Sequence, residues 1–114
     1  MSDFVEFVLE RLAPLGEMRA RAMFGGYGVY VGDTIFAIVV DDVLYLKTDH
    51  TSCERFIAKG LGPFTYAAQD KTVAMKYYEA PSEIFEDDDA MQSWIRQAID
   101  VALKTKAAKK PRRA

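Results

Sequence analysis

Met23-Phe24-Gly25-Gly26-Tyr27-Gly28-Val29-Tyr30-Val31 forms the centre of a longer stretch, Arg19 to Lys47, whose reading decides the fold. Up to Phe24 the chain alternates, with Met18, Ala20, Ala22 and Phe24 set against Arg19, Arg21 and Met23. A period of two places both arginines on one face of a strand. Three glycines follow within four positions. Glycine takes φ > 0 without steric cost, which a primed hairpin turn at Gly25-Gly26 requires. Tyr27 to Val31 then reads as a short strand and Gly32-Asp33 as a second turn. Thr34 to Val40 is apolar almost throughout, which implies a central strand covered on both sides or a face used for association. Asp41-Asp42 turns the chain into Val43 to Lys47, with Val43, Tyr45 and Lys47 on one face and Leu44 and Leu46 on the other.

Outward from this meander the period changes. Phe4, Val5, Val8, Leu9 and Leu12 recur every three or four residues, which predicts a helix begun by Ser2 and ended near Ala13 by Pro14 and Gly16. Downstream, Thr48 or Asp49 caps a second helix over 51–59, with Cys53, Phe56 and Ile57 on its buried side and Gly60 at its end. Phe64 to Ala67 and Thr72 to Glu79 read as two more strands around Gln69-Asp70-Lys71. Asp87, Asp88 and Asp89 suit the entrance of a last helix over 90–107, packed through Met91, Trp94, Ile95, Ala98, Val101 and Ala102. The order is helix, three or four strands, helix, two strands, helix: a two-layer α+β domain with an antiparallel sheet flanked by helices.

At 114 residues there is room for one domain, placed at 1–103, with 104–114 as a basic helix end and tail. Six of the 15 cations (Lys104, Lys106, Lys109, Lys110, Arg112, Arg113) lie there, and the remaining nine face all 17 carboxylates. An acidic body thus carries a cationic end. A single cysteine makes no internal disulfide, the acidic N-terminus is unlike a signal peptide, and the longest apolar run, Ile35 to Val40, is too short to span a bilayer. These features imply a cytoplasmic protein that does not enter a membrane.

No catalytic constellation emerges. His50 stands three residues before Cys53, but a nucleophile pair needs an orienting third group and a metal site needs further ligands. Cys53 reads better as a small buried side chain. The glycine cluster fails as a dinucleotide loop because strand-forming residues flank it on both sides. No cofactor or metal is implied. Arg19 and Arg21 share a face that Lys47, Lys76 and Tyr78 join if their strands are neighbours.

The run Arg21-Ala22-Met23-Phe24-Gly25-Gly26-Tyr27-Gly28-Val29-Tyr30 closely resembles the signature of the TfoX N-terminal domain family, the TfoX/Sxy competence regulators. The likeness continues in Phe36-Ala37, Leu44-Tyr45-Leu46-Lys47 with Asp49, Pro63-Phe64 with Tyr66, Met75, Tyr77-Tyr78-Glu79 with Pro81, Glu86-Asp87 and Trp94. It implies a secretion-chaperone-like fold and a non-enzymatic protein. Two-domain members of the family are transcriptional co-activators of DNA-uptake genes that act with the cyclic-AMP receptor protein. The resemblance further implies that the family's helical C-terminal domain is missing from this chain. Met23, Phe24, Gly25, Gly26, Tyr27 and Gly28 are expected to serve structure.

Two expectations about function follow. The first is a protein-interaction module, working with transcription machinery or a second copy of itself. Its contact surface is the sheet face left bare by the helices, with Arg19, Arg21, Tyr30, Tyr45, Tyr77 and Tyr78 as candidate anchors. The second is nucleic-acid binding through the tail, led by Lys106, Lys109, Lys110, Arg112 and Arg113.

Overall fold

The computed structural model describes residues 2–23 and 25–109. The first helix, α1 (Asp3–Leu12), starts where the Ser2 hydroxyl accepts the Val5 N–H at 3.2 Å. Its Val5, Val8 and Leu12 are fully buried. A 3-10 turn, Ala13–Leu15, leads into β1 (Met18–Met23), β2 (Gly26–Val31), β3 (Thr34–Val40) and β4 (Val43–Lys47).

The first hairpin closes on the pair Met23↔Gly26, so its turn falls one residue earlier than the glycine doublet suggests. Gly25 carries the left-handed backbone, φ 78°, and Gly26 is already the first residue of β2. Phe24, named in the motif, lies outside the described residues. At the β3–β4 hairpin, Asp41 and Asp42 both have positive φ, 51° and 60°, the signature of a type I′ turn. Aspartate holds this conformation at a cost that glycine does not bear. Asp42→Gly is therefore expected to stabilise the protein by about 1 kcal/mol, read as a melting temperature higher by a few degrees.

The second helix, α2 (Cys53–Ala58), is shorter than its sequence suggests. The Asp49 carboxylate accepts the N–H groups of Thr51 and Ser52 at 3.0 and 2.7 Å and so spends two residues on a turn before the helix. Phe56 alone is buried; Ile57 is 56% exposed, contrary to its expected place. So short a helix presents only one side chain to the core. After it come β5 (Pro63–Ala68), β6 (Lys71–Glu79) and a 3-10 turn, Ser82–Phe85, that buries Ile84. The last helix, α3 (Asp88–Lys109), begins where the Asp87 carboxylate accepts the N–H of Asp89 at 2.9 Å. All six residues of its expected packing stripe are buried.

The six strands form one antiparallel sheet in the order β1-β2-β3-β4-β6-β5. Register places Tyr27, Val29, Ala37, Val39, Leu44, Leu46 and Tyr78 on one face. All except Tyr27 and Tyr78 are buried, and the two tyrosines pack against the same core. All three helices pack on that face: α1 through Val5, Val8 and Leu12, α2 through Phe56, α3 through its stripe. A bulge between β2 and β3 leaves Phe36 as the extra residue and turns it into the core as well. The fold is the two-layer α+β arrangement expected, with four strands in the meander. Within the helical layer Arg11 ties α1 to the 3-10 turn and to α3: its Nε donates to the Ile84 carbonyl at 2.8 Å while Nη1 meets Asp88 at 2.7 Å.

Candidate functional site

With all three helices on one side, the opposite sheet face is left bare of helices among the described residues. Two cross-strand rows order it. The first runs Arg21, Gly28, Ile38, Tyr45, Glu79 over β1, β2, β3, β4 and β6. The second, interrupted by the bulge, runs Arg19, Tyr30, Ile35 and then Lys47, Tyr77. Phe64 and Tyr66 extend the face onto β5: the Tyr45 and Phe64 rings meet edge-on at 5.2 Å, and those of Phe64 and Tyr66 lie 6.5 Å apart.

Cations and rings are interleaved here. Arg21 lies 6.0 Å from the Tyr30 ring centre and Lys47 lies 5.0 Å from that of Tyr77. Burial raises the Tyr77 hydroxyl above its ordinary pKa, with Tyr30 adding to the effect. Burial also raises Tyr45, and the nearby carboxylates Glu79 and Asp41 push it the same way. Ile38 and Tyr77 are buried among their neighbours, whereas Tyr66 and Met75 remain exposed at the β5–β6 end. The glycines of β2 shape the surface: a Cβ on Gly28 would lie 2.7 Å from Met23 Sδ and 2.8 Å from Ile35 Cδ1. These side chains fill the space above β2 and keep it low.

The structure thus brings five of the six named anchors, Arg19, Arg21, Tyr30, Tyr45 and Tyr77, onto one face. Tyr78 is a correction. Adjacent strand residues point to opposite faces, and Tyr78 packs at 5.7 Å from the Phe56 ring on the helical side. The same register turns Lys76 away, so only Lys47 joins the arginine face. Nor do Arg19, Arg21 and Tyr78 converge on a pocket. Phe64, Tyr66 and Glu79 belong to the face although the sequence reading passed over them; the alternation of Phe64 with Tyr66 carried the signal.

Of the tail residues, Lys106 is tied to the body: its Nζ meets Asp33 at 2.7 Å, and this lowers the Asp33 pKa. The side chain of Lys109, and Lys110, Arg112 and Arg113 entirely, lie outside the described residues. His50 is exposed and offers its carbonyl to the Cys53 thiol at 3.6 Å. Among the described residues no three His, Cys, Asp or Glu side chains gather as a metal site. None of the described helices is long and apolar enough to cross a membrane. An open groove of about 570 Å³ between α2 and α3 carries Arg55, Arg96 and Lys104 but also Asp49 and Asp100. Arg55 there is committed to structure, lying 3.7 Å from the Trp94 ring centre and donating to Ser93 at 2.8 Å.

Three surface carboxylates give the stability a modest acid dependence. The Ser52 N–H holds Asp49 below its ordinary value of 3.8, Lys59 holds Glu83 below 4.5, and Lys106 holds Asp33 below 3.8. Each is more acidic folded than unfolded. Its contribution is therefore complete above the unfolded value and is lost as pH falls through the folded one. The melting temperature is expected to decline from about pH 4.5 downward, and Lys59→Met with Lys106→Met should flatten that decline, as a series of thermal scans will show.

Residues 10–102 match the model of the TfoX N-terminal domain. The chain is 30% identical over 103 residues to Protein Sxy of Escherichia coli, covering 90% of this chain and 49% of that protein. It is 28% identical over 101 residues to the DNA transformation protein TfoX1 of Aliivibrio fischeri, covering 88% of this chain and 48% of that one. The chain spans about half the length of both relatives.

Proposed function

Because the chain belongs to the TfoX N-terminal domain family, we propose that it is a regulatory docking module for the control of DNA uptake, and that its working surface is the helix-free face of the sheet. The observation that carries this reading is the mosaic on that face: Tyr30, Tyr45, Phe64, Tyr66 and Tyr77 with Arg19, Arg21 and Lys47 among them. Tyrosine and arginine are enriched among the few residues that dominate binding energy at protein interfaces, because each combines apolar area with directed polar groups. The reading assigns no reaction to the chain. The similarity to the DNA transformation protein TfoX1 supports the link to DNA uptake.

The test is made in the native cell, with the chromosomal gene replaced by variants. Truncating an interface anchor costs about 2 kcal/mol, or about 30-fold in affinity. Tyr45→Ala with Tyr66→Ala is expected to lower transcripts of DNA-uptake genes to the level of a gene deletion. Phe7→Ala, exposed on α1 at the opposite side, leaves them unchanged. Wild-type transcript levels in the double variant would reject the proposal.

A further inference from the structure

We infer that the occupant of the helix-free face is a second copy of this chain, related by a twofold axis that runs parallel to the strands along β3. The inference rests on the docking role given to that face above and names its partner.

The order of residues along the two rows selects this axis. Rotation about an axis on β3 exchanges the positions of β2 and β4, and those of β1 and β6. The first row, Arg21, Gly28, Ile38, Tyr45, Glu79, is then laid on its own reverse. Arg21 comes opposite Glu79 of the second copy, Gly28 opposite Tyr45, and Ile38 opposite Ile38. In the second row Arg19 comes opposite Tyr77, Tyr30 opposite Lys47, and Ile35 opposite Ile35. Each of these cations meets a carboxylate or a ring, and no two like charges meet. The contact is isologous, the commonest symmetry of soluble assemblies.

Other orientations lose this match. A twofold axis in the sheet plane but perpendicular to the strands lays each strand on itself and sets the arginines of β1 against those of the second copy. Geometry accommodates the first axis. Stacked sheets lie about 10 Å apart and align within about 30°. Arg21 and Glu79 stand two strand spacings from the axis, so that rotation displaces them by about 5 Å, within reach of an arginine. Among the described residues, Arg19, Arg21 and Glu79 enter no ion pair in their own chain. Their charges are available. Over Gly28, which carries no side chain, the ends of Met23, Ile35 and Tyr30 close in, so the Tyr45 ring of the second copy meets an apolar surface there.

Charge exchange tests the pairing. Molar mass is measured by light scattering on the full 114-residue chain over a concentration series, for wild type, Arg21→Glu, Glu79→Arg and the double variant. The expected result is a wild-type dimer, dissociation at least tenfold easier in each single variant, and recovery in the double variant. Mixing the two single variants restores both pairs and should also give dimers. Both positions are exposed on the strand face, so unchanged circular dichroism and melting are expected. If either variant loses its fold, Arg19→Glu, set opposite Tyr77, takes its place as the weakening variant.

A wild-type chain that stays monomeric throughout overturns the inference, as does a double variant no better than the single ones. A monomer that binds a thymidine oligonucleotide through Arg19 and Arg21 also overturns it and gives the face to nucleic acid. If the chain is monomeric but Tyr45→Ala with Tyr66→Ala still abolishes regulation in the cell, self-pairing is rejected while the docking role survives.

Discussion

Phe56→Ala is expected to cost about 3–5 kcal/mol, the range for removing a large aromatic side chain from a core that cannot collapse around the space. Phe56 is 1% exposed and is the one buried residue of α2. Its ring meets Trp94 edge-on at 4.8 Å and Tyr78 at 5.7 Å, so it joins α2 to both α3 and β6. Without it, α2 keeps its Asp49 cap and the Arg55 contacts to Ser93 and Gln97, which lie at the surface and contribute little. A six-residue helix has no stability of its own. The loss should therefore have two levels. Global unfolding moves down by about 10–20 °C, and the α2 amides exchange hydrogen faster than those of β3 well below the transition. Uniform exchange across the molecule, or a change under 1 kcal/mol, would show that α2 is held elsewhere.

Gly26→Ala is expected to rank close behind, at about 3 kcal/mol, and the reason is not turn conformation. A Cβ at Gly26 runs into the backbone carbonyl of Val39 and comes within 3.1 Å of Val40 Cγ2. Backbone in a central strand cannot yield without parting β2 from β3, and overpacking of that kind costs kilocalories. The neighbouring glycines provide internal controls. At Gly28 the obstacles are the ends of Met23, Ile35 and Tyr30 side chains, which can swing aside; at Gly25 nothing lies within 4 Å and only the positive φ resists. Gly25→Ala and Gly28→Ala should each cost about 1 kcal/mol. Denaturant midpoints for the three variants give the order directly, and equal midpoints would show that the sheet adapts at Gly26.

The architecture was legible in the sequence because its signals were local and agreed with one another. The stripe of α3, the Ser2 cap and the paired aspartates at 41 and 42 each state their own conformation, and the structure honours them. What stayed hidden depends on non-local facts. Three glycines in four positions permit two hairpin registers, and only the fit of Gly26 against Val39 on another strand selects one. Tyr77 and Tyr78 are chemically alike, and alternation says only that they part. That Tyr78 goes to the core follows from α2 packing beside β6, which no property of the pair reveals. Ile57 shows the same limit: its periodicity is helical, but the helix is too short to bury a second residue. The helix-free face was half legible, since Tyr45 and Lys47 declare a shared side while the rows linking them to Arg21 and Glu79 require the strand order.

The placement of β6 between β4 and β5 gives the molecule a seam. β4 and β6 share only three register pairs, Tyr45↔Glu79, Leu46↔Tyr78 and Lys47↔Tyr77, where β1 and β2 share six. The chain must also travel through α2 and β5 before this junction can close, so it forms after the hairpins on either side. Arg21 stands on one bank and Glu79 on the other. A second copy laid across the face as inferred would lace the two banks together, and quaternary assembly would then guard the last contact that folding makes.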